Sequence, residues 1–476
     1  MSVFLVKKEM KMQWHKLVLA LSAGLFLGGC SLNEPPKPAH VELPSFSSEV
    51  RVESKWWEKY NDPVLNELVE RARLTNFDLR KAAANVSLAH ATLSGADAAR
   101  YPTIGGNAGA SRAKSSKEVF PNTGATSNSF SLSAVLSYEL DVWGKIKNTK
   151  ASAMESLLSS KATKDAIRIG LESSVVDSYF GLLSLQAQKT IAEETVQTRK
   201  ESLNLVEEKY RLGALTSHEV LLAKSAYTNA KATLASIKTA IARSESALHV
   251  LIGTNPKELM ESGGRFDEGR LPRPFDVPEG LSASLLEQRP DIQAALHALE
   301  AANLDIKVAK AAHFPSISLS GALGFSSAEL GDLIGSSARN WNMGGSLVAP
   351  LFDFGRIKSQ VKGREALQEI ARIGFESSVT RAFLEVYEAQ RVRESINQSK
   401  AHALEQVKIY NELAKLALTR YEAGAGEYQR VLEANDDLLN ARIGLVQIYQ
   451  QSLSADISLI KALGGGWDKD ALEALQ

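Results

Sequence analysis

Hydrophobic positions along this chain follow two different periods. Phe130, Leu132, Ala134, Leu136, Tyr138 and Leu140 alternate with Ser129, Ser131, Ser133, Val135, Ser137 and Glu139. A period of two predicts a strand with one apolar and one polar face. Ile317, Leu319, Gly321, Leu323 and Phe325 alternate in the same way with Ser316, Ser318, Ser320, Ala322 and Gly324. Trp341, Met343, Gly345, Leu347, Ala349 and Leu351 carry the pattern onto a further strand. Strands are predicted at about 102–112, 127–141, 315–326 and 340–352. Their length matches the ~9–11 residues of a bilayer-crossing strand, apolar outward and polar inward. A half-buried soluble hairpin shows the same alternation. The unbroken run of small polar residues favours a wet interior, and Tyr101, Trp143, Phe314, Trp341 and Phe352 at the strand ends suit an interfacial girdle. Four strands cannot close a membrane barrel, which needs at least about eight. Either two chains supply eight strands or three chains supply twelve.

Elsewhere the beat is seven. Val220, Tyr227, Leu234, Ile241 and Leu248 form one row, and Ala223, Ala230, Ile237, Ser244 and Leu251 a second. Val431, Leu438, Leu445, Ser452 and Leu459, with Ala434, Ala441, Ile448, Ala455 and Ala462, repeat both rows later in the chain. Two rows offset by three are the seam of a coiled coil. No proline lies between Pro121 and Pro256 and none follows Pro350, so helix breakers are missing from both stretches. The partner stretches 145–212 and 356–423 predict helices about 100 Å long at ~1.5 Å per residue. Helices of this kind alone suit a rod-like scaffold or adaptor. The alternating strands argue against that reading.

The two halves resemble each other. Ala98-Ala99-Arg100-Tyr101-Pro102-Thr103-Ile104 aligns with Ala311-Ala312-His313-Phe314-Pro315-Ser316-Ile317. Gly144-Lys145-Ile146-Lys147 aligns with Gly355-Arg356-Ile357-Lys358, and Tyr210-Arg211-Leu212-Gly213 with Tyr421-Glu422-Ala423-Gly424. Each unit reads as helix, strand pair, very long helix, glycine-marked turn and long helix. The expected organisation is a signal segment 1–29, a tether 30–50, a first unit 51–256, a connecting segment 257–290, a second unit 291–466 and a tail 467–476.

Lys7, Lys8, Lys11 and Lys16 precede an apolar run from Leu17 to Leu27, too short to span a bilayer. Leu27-Gly28-Gly29-Cys30 resembles a bacterial lipobox, in which the cysteine becomes the lipid-bearing first residue. Cys30 is the single cysteine, which excludes an intrachain disulfide framework. Ser31 in place of Asp points to the outer membrane. The 476 residues carry 55 basic and 55 acidic side chains, which leaves no basic excess to hold nucleic acid. The eight histidines show no HExxH or paired metal spacing, and no GxSxG or phosphate-loop motif occurs. No enzyme activity, cofactor or metal is expected.

Ordered motifs then carry a family likeness. Trp56-Trp57-Glu58-Lys59-Tyr60-Asn61-Asp62-Pro63, Tyr138-Glu139-Leu140-Asp141-Val142-Trp143-Gly144, Gln288-Arg289-Pro290-Asp291-Ile292 and Lys461-Ala462-Leu463-Gly464-Gly465-Gly466-Trp467 resemble the TolC-like outer-membrane efflux channel family, in its lipoprotein branch serving RND-type drug pumps. The resemblance implies an α+β membrane protein: a homotrimer with a twelve-stranded transmembrane β-barrel and a long periplasmic coiled-coil tunnel. A periplasmic adaptor and an inner-membrane pump would be its partners. It also implies adaptor docking at the helix turns, Leu212, Gly213, Ala214 and Leu215 in the first unit and Ala423, Gly424, Ala425 and Gly426 in the second. Glu433 matches an acid lining the narrowest ring, where three carboxylates would favour cations. Tyr421 matches a gate aromatic and Glu219 an acid of the first tip, while Asp436 and Asp437 lie one turn on. Arg430 stands where some relatives carry a second acid, and Gly426 where some carry a basic partner. Arg430 has two candidate partners, Glu433 at i,i+3 and a neighbouring chain. The expected function is an exit duct for drugs or other small toxic compounds. An exit channel for metal cations or a secreted polypeptide is the rival within transport.

Overall fold

The computed structural model describes residues 55–118, 124–254 and 289–465. The signal segment, Cys30, the tether, most of the connecting segment and the tail lie outside the described residues. A short 3-10 turn, Trp56–Tyr60, opens the described chain. Helix α1 (Pro63–Thr75) starts where Asp62 Oδ1 accepts the Val64 and Leu65 amides at 2.9 and 3.2 Å. Proline at its first position costs nothing, because that amide has no helical acceptor. Asn76 ends α1 and caps α2 (Phe77–Ala98), accepting the Asp78 and Leu79 amides at 2.9 and 3.0 Å.

Strands β1 (Thr103–Lys114) and β2 (Thr126–Leu140) follow, then α3 (Lys145–Arg211) and α4 (Ser217–Leu251). The second half runs α5 (Pro290–Ala311), β3 (Ser316–Ser327), β4 (Arg339–Val348), α6 (Arg356–Glu422) and α7 (Tyr428–Ala462). Helices α2 and α5 both have 22 residues, α3 and α6 both 67, and α4 and α7 both 35. The fourth strand stops at Val348, short of the predicted 352. Pro350 has no amide to give a ladder, so Leu351 and Phe352 lie exposed beyond it. Among the described residues no helix is long and apolar enough to cross a membrane.

The strands form one antiparallel sheet in the order β1-β2-β3-β4. Its registers run without a bulge: Ile104 faces Leu136, Ala134 faces Leu323, and Leu323 faces Trp341. All residues of the four seven-residue rows are buried or half-buried, so the sequence period marks the packed face of α4 and α7.

The main core lies around the middle of α3. Trp56, Trp57 and Tyr60 pack with Val175, Val176, Tyr179 and Phe180, and Leu453, Ile457 and Ile460 of α7 complete the cluster. Glu172 is fully buried there and accepts from Arg73 Nε at 2.8 Å and Arg168 Nη1 at 3.2 Å. Desolvation pushes this carboxyl up, against the pull of the two guanidinium groups. Arg289 fastens the entrance of α5 to the other end of the second half, donating to the Ala462 carbonyl and to Glu385, both at 2.7 Å. A smaller apolar cluster of Leu203, Val206, Ala223, Tyr428, Val431 and Leu432 sits close to the helix turns.

Candidate functional site

The two turns between the long helices are built alike. After α3, Leu212 keeps helical angles and Gly213 takes φ 77°. The Gly213 amide returns to Tyr210 O and the Ala214 amide to Lys209 O, both at 2.9 Å. After α6, Gly424 takes φ 73°, its amide reaches Tyr421 O at 3.0 Å, and Ala425 reaches Arg420 O at 2.9 Å. Both are Schellman caps, which satisfy the last carbonyls and reverse the chain at a residue without Cβ. Leu212 and the Ala214 and Ala423–Gly426 positions remain exposed, while Leu215 is drawn half-buried onto the small cluster.

The two returning helices begin differently. Thr216 caps α4, and Glu219 folds back in a capping box: its Oε2 accepts the Thr216 amide at 3.0 Å and also the Thr216 hydroxyl. Hydrogen bonding from Thr216 holds the Glu219 carboxyl below the usual glutamate range. Helix α7 starts at Glu427 without a side-chain cap. There Tyr428 is buried against Tyr421, ring centroids 5.2 Å apart, and Lys209 Nζ stands 5.6 Å from the Tyr421 ring. Burial raises the Tyr421 phenol, and the Glu219 carboxylate adds to that rise.

Acidic residues on α7 divide by partner. Glu433 is exposed and accepts from Gln429 Nε2 and Arg430 Nη1, both at 2.9 Å. Arg430 therefore takes the i,i+3 option within its own helix. Asp436 accepts from Arg199 Nη2 at 2.6 Å, and Arg199 Nη2 also donates to Leu432 O at 3.2 Å. Asp437 is exposed on the same turn. The tip thus gathers Glu219 and Lys209 near Tyr421, and Arg430, Glu433 and Asp436 along α7.

Sequence reasoning missed Arg199, Tyr428 and Thr216. Arg199 carried a signal, because it lies seven residues from both Ala192 and Val206, two buried positions of α3. A cation in an apolar row needs a partner, or its burial is costly. Thr216 and Glu219 spell the S/T-x-x-E signature of a helix start.

At the other end of the long helices, the bulge-free registers sort the sheet residues cleanly. One face carries Ile104, Leu132, Leu136, Leu319, Leu323, Trp341, Met343 and Leu347, all exposed. Trp341 is 73% and Met343 85% accessible, far from ordinary for a soluble sheet. The opposite face carries Thr103, Asn107, Ser131, Ser133, Ser318, Ser320, Asn342 and Ser346. Where the strands meet the helices, Trp143 stacks on Phe314 at 4.7 Å and donates from Nε1 to Pro315 O at 2.6 Å. A wall with one greasy and one hydroxyl-lined face, held on long helices, suits passage of polar solutes across a membrane.

Comparison with known proteins agrees with this geometry. The sequence pattern of the family described as outer membrane efflux protein matches residues 68–254 and 281–465. The chain is 31% identical to the toluene efflux pump outer membrane protein TtgF of Pseudomonas putida, over 98% of this chain and 99% of that one. It is also 31% identical to the pyoverdine export outer membrane protein OpmQ of Pseudomonas aeruginosa, over 94% and 97%. The crystal structure of the CmeC outer membrane channel of Campylobacter jejuni superposes with a TM-score of 0.84 at 27% identity, covering 92% of this chain and 93% of that one. The protein is therefore an outer-membrane exit duct of efflux pumps and belongs to the outer membrane efflux protein family.

Proposed function

We propose that three copies join β1 of one sheet to β4 of the next and close a twelve-stranded barrel around a water-filled bore. The observation that carries this is the sheet itself: β1 and β4 are its two open edges, and its apolar face has no cover among the described residues. An open edge cannot face lipid, because its amides and carbonyls would lack partners. The seven-residue rows then continue the bore as a coiled-coil tunnel in the periplasm. The equal lengths of corresponding helices support descent of both halves from one repeated unit, with the boundaries given above.

In this reading the hairpin tips form the inner mouth. Glu433, Tyr421, Arg430, Asp436, Asp437 and Glu219 govern its aperture and charge. The turns Leu212–Leu215 and Ala423–Gly426, exposed except at Leu215, dock a periplasmic adaptor, which links the duct to an RND-type pump in the inner membrane. Cys30 carries the lipid that adds a second anchor. Cargo consists of drugs and other small toxic compounds. The relatives named for toluene efflux and pyoverdine export support small organic molecules over polypeptides.

Mass measurement of the detergent-solubilised complex, with conductance in planar bilayers, tests the assembly. A trimer that opens ion-conducting pores is expected. A monomer that never conducts overturns the proposal.

A further inference from the structure

The outward, apolar face of the sheet carries charge at one end only. Register places Arg112 opposite Asn128, Lys114 opposite Thr126, and Arg339 opposite Phe325. All three cations therefore share the face of Ala110, Phe130, Phe325 and Trp341 rather than the hydroxyl face. They are the charged residues of that face within the four strands. All three sit at the end away from the helices, and all three are exposed. None forms an ion pair with a described residue, the nearby loop acids Glu329 and Asp332 included.

Their order along the strands matches the layers of a bilayer. On β4 Met343 lies toward the middle, Trp341 comes next opposite Leu323, and Arg339 lies two residues beyond Trp341, about 7 Å at strand rise; on β1 Arg112 lies two residues beyond Ala110, which faces Phe130. Aromatic rings favour the interface between hydrocarbon and headgroups, and cations favour the anionic groups just outside it. The opposite end of the same face has no strand cation, so this arrangement reads one leaflet only.

Within the chain, Arg339 on β4 and the pair Arg112 and Lys114 on β1 lie on opposite edges of the sheet. Closure of the barrel, on which this inference rests, brings β4 of one protomer beside β1 of the next. We propose that Arg112, Lys114 and Arg339 form a phosphate-binding cluster at each subunit junction, which docks the phosphorylated lipids of the outer leaflet against the barrel wall. Guanidinium groups suit this role, because their planar donors grip phosphate oxygens in pairs. Each docked lipid spans two protomers and so ties the seam from outside.

The test uses the full-length, detergent-purified channel and native mass spectrometry. It is exposed to bisphosphorylated lipid A, and separately to the same lipid after enzymatic dephosphorylation. The intact protein is expected to retain the phosphorylated form preferentially. R112Q/K114Q/R339Q is expected to weaken that retention on the order of 100-fold, with pore conductance unchanged. Should that variant not assemble, Arg339→Gln alone should lower retention, and R112K/R339K, which keeps the charge and loses the paired donors, should lower it less than R112Q/R339Q. Equal retention of the phosphorylated lipid by a conducting variant and the intact protein overturns the docking cluster. Failure of the intact protein to form oligomers or conduct is a different result, and it rejects the barrel reading instead.

Discussion

Arg199 on α3 and Asp436 on α7 meet at 2.6 Å, joining the first half of the chain to the second close to the tips. The two partners are unequal: the arginine side chain is 5% accessible and the aspartate 61%. Most of the cost of breaking the pair therefore falls on the arginine, which would be left buried without its anion.

Removal of Asp436 tests this latch. Asp436→Ala should loosen the contact between α3 and α7 and raise the conductance of the isolated channel. Arg199→Ala should also release the Leu432 carbonyl and destabilise the tip by about 1–3 kcal/mol. Hydrogen exchange across α7, read beside single-channel currents, checks both. Unchanged exchange and unchanged currents would remove the pair from any role in holding the tip.

Opposite substitutions on one turn should pull selectivity in opposite directions. Arg430 neutralises Glu433 at 2.9 Å in its own helix. Glu433→Gln should lower the cation preference of the pore, and Arg430→Gln should raise it. Reversal potentials in a salt gradient measure both. If neither moves, the charges of this turn do not face the permeation path.

Acid should fray the first turn of α4. The Glu219 carboxylate is held below its ordinary range by the Thr216 hydrogen bonds. A depressed folded pKa means stability present above the unfolded value and lost as pH falls through the folded one. Amides near His218 should lose protection in that window, after correction for intrinsic exchange. Glu219→Gln should flatten the pH dependence, and Thr216→Ala should cost about 1 kcal/mol at neutral pH. Protection that stays constant through acid pH would show that the capping box does not hold the turn.

The two faces of the sheet should tolerate charge unequally. Met343→Arg, on the apolar face near the middle of β4, should oppose insertion by about 2–4 kcal/mol. Ser133→Arg lies on the opposite face, opposite Gly324. It should leave assembly intact and shift ion selectivity. Heat-modifiable migration in unboiled gels reports assembly. Equal assembly of both variants would mean that the lipid-facing side has been assigned wrongly.

Local pattern made much of this architecture readable. Alternation at Phe130–Leu140 gave the strand face, and the proline gaps gave the long helices, because both are properties of neighbouring residues. Gly213 and Gly424 marked the turns for the same reason. Arg199 and Asp436 were harder, since they lie far apart in sequence and nothing local pairs them. Glu219 shows a different difficulty. Its spacing from Thr216 spells a helix cap, while its place in the tip suggests a gate acid, and the geometry shows the cap. The packing of Trp56 and Trp57 into α3 was equally hidden, because a tryptophan pair says that it will be buried without saying where.

The equal lengths of α3 and α6, and of α4 and α7, restrict how relatives of this chain can diverge. Lengthening α3 alone would move one tip away from its counterpart and rotate the apolar rows out of step. Matching insertions in all four rods, in steps that preserve the heptad, would keep tips and rows in register. The reach of the rods thus acts as a common gauge for both halves, which leaves the loops as the places where length can change at least cost.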